Sequence, residues 1–287
     1  MAEILKGAPV AAALSDAMAI RIKRLKENGI APTLAIVRVG QRDSDLAYER
    51  GAVKRCETAG IEVRRFVLPE DCPQECLLKT VRQINDDGKI HGCLLFRPLP
   101  KQIDERLVCE TLIPEKDVDC ITSGSLCGLF TGSQNGFPPC TAQACIEILD
   151  HYGCALKGKR VAVIGRSLVV GKPVSMMLQS RNATVTMCHT KTEDLAARCR
   201  EAEVLVVAAG RAGIVDETFV SPGQTVIDVG IHTDAGGHLC GDVRFDRVEP
   251  VVASITPVPG GVGAATSAVL AKHVVEAAEK RLGEVVC

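Results

Sequence analysis

Short apolar, β-branched runs alternate with amphipathic helical stretches along this chain, and that alternation constrains the fold more than any other feature. In the first half, strands are predicted at 33–39, 61–67 and 91–96, and helices at 11–26, 44–59 and 73–86. A strand that returns after a helix pairs in parallel with the strand before it. The sequence therefore predicts an α/β fold with a parallel sheet covered by helices.

The alternation restarts near residue 159 as a compact, Rossmann-like βαβαββ series. Its strands are predicted at 159–164, 183–188, 204–209 and 224–230, and its helices at 171–180 and 193–201. A last short strand is predicted at 254–256. Between the two series, 114–140 is rich in Gly, Ser and Pro, which predicts a long loop or a crossover between domains. Further helices are predicted at 141–152 and 268–282. We expect two domains, one of 1–143 plus 267–287 and one of 144–266.

Composition argues against several classes of protein. The formal net charge is -1 and aromatic residues make up only 3%, so no basic, aromatic-lined surface for nucleic acid is expected. No run of about 18 apolar residues and no leader pattern is visible, so we expect a cytoplasmic protein without a membrane span. The 14 cysteines are scattered without a CxxC pair, and Cys72 and Cys76 lack a nearby histidine cluster. We therefore expect free, mostly buried thiols and no metal site.

The most informative local pattern is Gly165-Arg166-Ser167 followed by Gly171, between a predicted strand and a predicted helix. A strand that turns at a glycine into a helix aims unpaired N–H groups at a phosphate. The spacing is not GxGxxG, so an ordinary strand-to-helix turn is the alternative interpretation.

The next strand ends at Cys188-His189-Thr190-Lys191-Thr192, where an NAD enzyme would carry an acidic residue for the ribose 2′-hydroxyl. Hydroxyls and cations at this point favour NADP over NAD, although a polar loop that caps a helix would look the same. The segment from Pro257 to Gly263 holds two prolines and three glycines, which suits a flat ligand against main chain. The alternative is a turn into the last helix.

With these residues noted, the chain closely resembles the methylenetetrahydrofolate dehydrogenase/methenyltetrahydrofolate cyclohydrolase family, nearly end to end. The shared segments are Val39-Gly40, Ser44-x-x-x-Tyr48, Gly60-Ile61, Pro98-Leu99-Pro100, Pro114-Glu115-Lys116-Asp117-Val118-Asp119, Pro139-Cys140-Thr141, Gly165-Arg166-Ser167, Ala183-Thr184-Val185-Thr186, Val226-Ile227-Asp228-Val229-Gly230, Gly241-Asp242-Val243 and the run from Thr256 to Gly263.

The resemblance implies two lobes with folate bound in the cleft between them, and a homodimer. It implies that NADP takes a hydride from the methylene carbon that bridges N5 and N10 of tetrahydrofolate, and that the methenyl product is then hydrolysed to 10-formyltetrahydrofolate. The residues that it assigns to catalysis are Tyr48 and Asp119, which would stack near the folate and bond the pterin. Those it assigns to the cofactor are Gly165, Arg166, Ser167, Thr190 and Ile231. Those it assigns to the substrate are Tyr48, Asp119, Pro257, Gly260 and Gly261. Phe96 and Arg97, which stand at folate-site positions of the pattern, are predicted as further substrate-binding residues. For Tyr48 and Asp119, a half-buried helix aromatic and a loop cap are the structural alternatives.

The chain departs from the family pattern mainly at the folate site. A lysine is usual four residues after the tyrosine, and here that position is Ala52. Lys54 is a poor substitute, because six residues at 100° each turn it about 120° away from Tyr48. Phe96 replaces a glutamine and Arg97 an apolar residue. The other departures are Cys120 for glycine, Ala142 for proline, and Ala264-Ala265 for Pro-Met.

These losses bear unequally on the two reactions. Hydride transfer mainly needs its two carbons held close, whereas hydrolysis needs a polarised water and proton transfer. We therefore predict a dehydrogenase whose cyclohydrolase activity is weak or lost, with Arg97 as a candidate replacement cation. Two alternatives stay open, a non-catalytic folate and NADP binder and an NADP dehydrogenase of another substrate.

Overall fold

The structure is a computed structural model that describes residues 1–133 and 135–286, with the side chains of Ser44 and 284–286 outside the described part. The strands are β1 (Glu3–Ile4), β2 (Thr33–Val39), β3 (Glu62–Leu68), β4 (Gly92–Leu95), β5 (Arg160–Ile164), β6 (Thr184–Cys188), β7 (Val204–Val207), β8 (Thr225–Asp228), β9 (His232–Thr233), β10 (Leu239–Cys240) and β11 (Ser254–Ile255). The α-helices are α1 (Gly7–Glu27), α2 (Asp43–Ala59), α3 (Gln74–Asp86), α4 (Glu105–Thr111), α5 (Ser123–Thr131), α6 (Cys140–His151), α7 (Gly171–Ser180), α8 (Leu195–Arg200), α9 (Phe245–Val248) and α10 (Val262–Val286).

The chain divides into two compact units. The first, here the three-stranded unit, comprises Ala13–Cys140 and Ser267–Cys287, and the second, the six-stranded unit, comprises Met1–Ala12 and Thr141–Thr266. The sequence-based division placed 1–12 with the first domain, but β1 pairs with β11 through Glu3↔Ser254 and Ile4↔Ile255. A two-residue strand carries no periodic signal of its own, so only the pairing reveals where these residues belong.

The three-stranded unit is built on a parallel sheet of order β3-β2-β4. Every residue of β2 is buried, which is expected of a central parallel strand covered on both faces. Its side chains pack with those of α3 and α4, among them Val37, Leu77 and Val108, each fully buried. Removing one such side chain from water stabilises the unit by roughly 1.5–3 kcal/mol.

The six-stranded unit holds a parallel sheet of order β1-β11-β8-β7-β5-β6. The chain runs from β5 to β6 on one side and then continues through β7 and β8 on the other side of β5. The strand order therefore reverses between β5 and β7, and ligands of doubly wound sheets bind at the carboxyl ends beside such a reversal.

The segment predicted as a loop at 114–140 contains more regular structure than its composition suggested. A 3-10 helix covers Pro114–Lys116, and α5 follows at Ser123–Thr131. Thr122 caps α5 by accepting the Ser125 N–H, and Gly132 ends it at φ 72°. The glycines that hid this helix serve packing, because a Cβ on Gly128 would lie 2.1 Å from the Asn135 carbonyl oxygen.

Other differences concern short elements and helix ends. Helix α4, the β9–β10 hairpin and α9 have no counterpart in the sequence-based prediction, whereas α10 starts six residues earlier than the predicted 268. None of the helices in the described ranges is long and apolar enough to cross a bilayer.

Candidate active site

The turn after β5 has the shape of a phosphate cradle. Gly165 has φ +127°, and a Cβ there would lie 2.2 Å from the Ala208 carbonyl oxygen. A Cβ on Gly171, the first residue of α7, would lie 2.2 Å from the Gly165 carbonyl oxygen. Only glycine fits either position, so the backbone turns tightly and leaves main chain at the start of a helix facing the turn. Anions bind in this kind of geometry.

Two loops lie side by side at this sheet edge. β5 and β6 pair through Ile164↔Cys188, and the Gly165 N–H donates to the Cys188 carbonyl oxygen at 2.9 Å. Arg166, Ser167 and Thr190 follow these strands and are exposed. The fold thus brings the three predicted phosphate-binding side chains to one edge, where the sequence from 188 to 192 carries no carboxylate.

Two buried carboxylates order the neighbouring loops, and the sequence reasoning assigned them no role. The Asp242 carboxylate accepts the backbone N–H groups of Ala209, Gly210 and Arg211 at 2.6, 3.0 and 2.9 Å. Asp228 accepts those of Gly230, Asp242 and Val243 at 2.9, 3.0 and 3.0 Å, and burial raises its pKa to about 6.

A signal for this carboxylate pair does exist in the sequence. A Cβ on Gly241 would lie 1.9 Å from an Asp228 carboxylate oxygen, so the glycine before Asp242 is required by close approach. The network fixes the start of the β9–β10 hairpin, where His232 Nε2 lies 2.7 Å from Asp242 Oδ1.

The predicted nicotinamide-side residues meet beyond β8 and β11. Ile231 is 61% exposed, and its Cδ1 lies 3.7 Å from where a Gly263 Cβ would stand. Gly260 has φ +100°, and a Cβ on Gly261 would lie 2.5 Å from the Pro257 carbonyl oxygen. The Pro257–Gly261 segment is therefore a tight run of main chain, with Pro257 half-buried and Gly260 exposed.

In the three-stranded unit, Tyr48 of α2 stands against Phe96, which follows β4. Their ring centroids are 5.8 Å apart at 80°, an edge-to-face contact. Phe96 is 8% exposed and Tyr48 is 40% exposed, so the tyrosine is partly open to solvent while Phe96 packs behind it in the interior. Burial of the hydroxyl raises the pKa of Tyr48 well above its usual range, and the Asp119 carboxylate acts in the same direction. Tyr48 is thus a neutral phenol at physiological pH.

Asp119 acts electrostatically on that hydroxyl. Its Oδ1 accepts the Cys140 N–H at 2.9 Å, and burial raises the pKa of the carboxyl group against the effect of this hydrogen bond. The next residue, Cys120, has φ 58°. Since a side chain in the left-handed region costs about 1 kcal/mol, this conformation explains why a glycine suits the position.

The position of the usual lysine holds no cation. Ala52 lies one turn from Tyr48 on α2 and is 2% exposed, whereas Lys54 is exposed. Arg97 is the nearby candidate, because its charge acts against the rise in the Asp119 pKa. Its Nη1 lies 3.7 Å from Glu105 Oε1, and Glu105 Oε2 accepts the Leu99 N–H at 2.8 Å.

The cysteines form no separate site in the described ranges. The 13 described there are free, and Cys72 is buried while Cys76 is exposed. Within the same ranges, no group of three or more His, Cys, Asp or Glu side chains could hold a metal ion.

The chain was compared with known proteins, and two family models match it. The family model for the tetrahydrofolate dehydrogenase/cyclohydrolase catalytic domain matches residues 5–119, and that for its NAD(P)-binding domain matches 139–282. The bifunctional protein FolD of Carboxydothermus hydrogenoformans is 52% identical over 281 residues, 97% of this chain and 98% of its own. That of Clostridioides difficile is 50% identical over 275 residues, 96% of each chain.

Solved structures of the same family are similar to this chain. The bifunctional methylenetetrahydrofolate dehydrogenase/cyclohydrolase FolD of Campylobacter jejuni superposes with a TM-score of 0.95 at 36% identity, covering 98% of this chain and 100% of that one. The Trypanosoma brucei enzyme, solved with NADP and an inhibitor, gives 0.91 at 33% identity over 98% of each chain. The predicted family resemblance and α/β fold class are confirmed.

Proposed function

Because the chain belongs to the tetrahydrofolate dehydrogenase/cyclohydrolase family, we propose that it oxidises 5,10-methylenetetrahydrofolate to 5,10-methenyltetrahydrofolate with NADP. The observation that carries the proposal is the glycine cradle after β5, where the chain keeps both glycines that the close backbone contacts require. The substitutions at Ala52, Phe96 and Cys120 lie instead around Tyr48 and Asp119. The dehydrogenase half of the family's chemistry is therefore the half that this chain retains.

The residues at the edge of the six-stranded sheet suit NADP. Gly165, Arg166, Ser167 and Thr190 would hold its phosphates, and Ile231 with the Pro257–Gly261 segment would line the nicotinamide and the substrate. The absence of a carboxylate from 188 to 192 favours a 2′-phosphate over a free 2′-hydroxyl. When bound, NADP supplies the acceptor for the hydride.

On the substrate side, each residue has a role that follows from its surroundings. Tyr48 offers a partly exposed ring for stacking and a hydroxyl that stays protonated. Asp119 has one oxygen held by the Cys140 N–H, so we assign the other, Oδ2, to the pterin. Phe96 supports the Tyr48 ring, and Arg97 adds a cation near the carboxylate. These groups orient the substrate, and none of them needs to transfer a proton during hydride transfer.

Hydrolysis of the methenyl bridge is where we propose that the chain is deficient. Ala52 puts a buried methyl group at the lysine position, and Phe96 puts an apolar ring at that of the glutamine. Neither can polarise a water or carry a proton. Loss of a positioned acid–base group typically slows such a step about 10²–10⁴-fold.

Side-by-side assays of the purified protein test both parts. We expect reduction of NADP by methylenetetrahydrofolate, a much weaker reaction with NAD, and methenyl hydrolysis at least about 100-fold below that of the Campylobacter jejuni bifunctional enzyme under the same conditions. Hydrolysis at a rate equal to that of the comparison enzyme would refute the deficiency. Binding of both ligands without turnover would instead identify a non-catalytic relative, and turnover of another substrate alone would point to a different dehydrogenase.

Three expectations extend this proposal. The resemblance favours a homodimer, which light scattering of the purified protein would detect. The cytoplasmic location expected from the sequence can be tested by cell fractionation. With tetrahydrofolate derivatives as its substrates and a net charge of -1, the protein is expected to bind no nucleic acid.

A further inference from the structure

One backbone carbonyl next to Asp119 accepts hydrogen bonds from two buried side chains. The Val118 oxygen lies 2.9 Å from His273 Nδ1 and 3.2 Å from Cys140 Sγ. Val118, Cys140 and His273 are at most 2% exposed. A carbonyl oxygen has two lone pairs, so it can accept both hydrogen bonds at once.

The thiol and the imidazole also lie 3.7 Å apart, a pairing that resembles a nucleophile with its base. The Val118 carbonyl excludes a role for His273 as the base of the Cys140 thiol. Because Val118 O can only accept, His273 Nδ1 must carry the hydrogen, and a ring nitrogen that is already protonated cannot remove a proton from the thiol. Burial raises the pKa of Cys140 well above its usual range, so the thiol keeps its own proton and donates it to the same oxygen.

The consequence falls on Asp119. The Val118 carbonyl belongs to the peptide group that carries the Asp119 nitrogen, so fixing this plane restricts how the Asp119 side chain leaves the backbone. Cys140 acts twice, because its N–H also donates to Asp119 Oδ1 at 2.9 Å. On either side of this point the chain is equally constrained. Asp117 accepts the Ile121 and Thr122 N–H groups, and Cys120 adopts φ 58°.

His273 is itself held in place by packing. Its ring lies against Phe137, with centroids 5.1 Å apart and the planes 30° from parallel. Lys280 lies two turns after His273 on α10, and its Nζ stands 4.5 Å from the centroid of the same Phe137 ring. The imidazole is therefore a rigid donor supplied by α10.

We propose that His273 is a positioning residue for the dehydrogenase, acting together with Cys140 through the Val118 carbonyl to aim Asp119 at the pterin. This inference rests on the proposed function for the role of Asp119. It requires only that the imidazole donate one hydrogen bond, and a side-chain amide could donate from nearly the same place.

The test is a double-mutant cycle. His273→Leu should lower kcat/KM for methylenetetrahydrofolate, and the affinity for tetrahydrofolate, about tenfold, because the carbonyl loses a buried partner. In His273→Asn, kcat/KM and tetrahydrofolate affinity should lie within about threefold of the wild-type values. NADP affinity should not change in either variant. In an Asp119→Ala background, His273→Leu should have no further effect on substrate affinity. His91→Asn, which alters another buried histidine of the same unit, serves as the matched control and should leave both quantities unchanged.

Several outcomes would overturn the proposal. These are an undiminished effect of His273→Leu in the Asp119→Ala background, equal damage from His273→Asn, or a parallel loss of NADP affinity. Should His273→Leu not fold, Cys140→Ala and Cys140→Ser give the same comparison from the second donor. Turnover by the wild-type protein decides the proposed function separately, since the cycle can be completed with tetrahydrofolate binding alone. A wild-type protein that binds no tetrahydrofolate would exclude both.

Discussion

The six-stranded unit builds its candidate site from backbone, whereas the three-stranded unit builds its own from side chains. Around the β5 turn, Gly165 and Gly171 leave no space for a Cβ, and Asp228 and Asp242 serve to hold loop N–H groups. Around Tyr48 the groups are an aromatic ring, a carboxylate and an arginine. A backbone site cannot change one residue without moving the chain. A side-chain site can, and the departures at Ala52, Phe96, Arg97 and Cys120 fall there. The departures at Ala142 and Ala264-Ala265 belong to the six-stranded unit but lie outside the β5 turn.

The strongest test of this contrast is Gly165→Ala. The new Cβ would meet the Ala208 carbonyl oxygen at 2.2 Å, a contact with main chain that no side-chain motion relieves. We expect a loss of about 3 kcal/mol in the free energy of unfolding, from overpacking and left-handed strain together. NADP affinity should fall about 100-fold. Denaturant titration and calorimetric NADP binding measure the two effects.

Gly158→Ala is the matched control in the same unit. Gly158 also has positive φ, +76°, but nothing lies within 4 Å of a Cβ built there. Its substitution should cost only the backbone strain, about 1 kcal/mol, and leave NADP affinity intact. Equal effects of the two variants on NADP binding would show that the turn is not a backbone-built site.

The two units should also respond in opposite directions to acid. In the three-stranded unit, burial lowers the pKa of His91 to about 4, and its Nδ1 accepts the Thr33 N–H at 3.2 Å. A lowered histidine pKa means stability that is present above pH 6.5 and is lost as the pH falls through 4. In the six-stranded unit the raised pKa of Asp228, about 6, has the opposite sign, so this group favours the folded state increasingly as the pH falls from 7 to 4.

His91→Asn isolates the first of these effects, since an amide oxygen can accept the same N–H without titrating. We expect the variant to lose about 2 kcal/mol less stability than wild type between pH 6.5 and 4, after allowance for solvent screening. Urea unfolding at a series of pH values measures the difference. Parallel curves for the two proteins would mean that His91 takes up its proton at an ordinary pH in the folded state.

The sequence indicated the glycine turns of the six-stranded unit more readily than the other structural features of the two candidate sites, for physical reasons. Glycines at 165, 171 and 261 are needed for backbone contacts, so their spacing alone identifies the turns that they allow. Long elements such as β2 and α3 follow from periodicity over many residues. The Gly241–Asp228 contact could have been suspected from its glycine, but no spacing indicates which carboxylate approaches it.

What the sequence could not reveal depends on contacts between distant residues. β1 is two residues long and exists only through β11. His273 lies 155 positions from the carbonyl that it bonds, and nothing around it in α10 marks it as different from any other buried histidine. Likewise, Arg97 could be proposed as a cation from its position in the motif, but its pairing with Glu105 is visible only in three dimensions.

That pairing gives the smallest and most specific prediction about the side-chain site. Glu105 binds the Leu99 N–H with one oxygen and faces Arg97 with the other, so it holds the segment after Phe96 while moderating the charge of the guanidinium. Arg97→Ala should lower kcat/KM for methylenetetrahydrofolate about tenfold, because Asp119 and the substrate lose a nearby cation. Glu105→Gln keeps an acceptor for Leu99 but removes the charge, and should change KM only about twofold to threefold.

Arg82→Ala is the matched control, because it removes an exposed arginine that pairs with Glu75 in the same unit, and it should change neither kcat nor KM. Steady-state kinetics at saturating NADP separates the three variants. Unchanged folate affinity and turnover in Arg97→Ala would show that the arginine does not replace the missing lysine, and that the side-chain site works through Tyr48 and Asp119 without a cation.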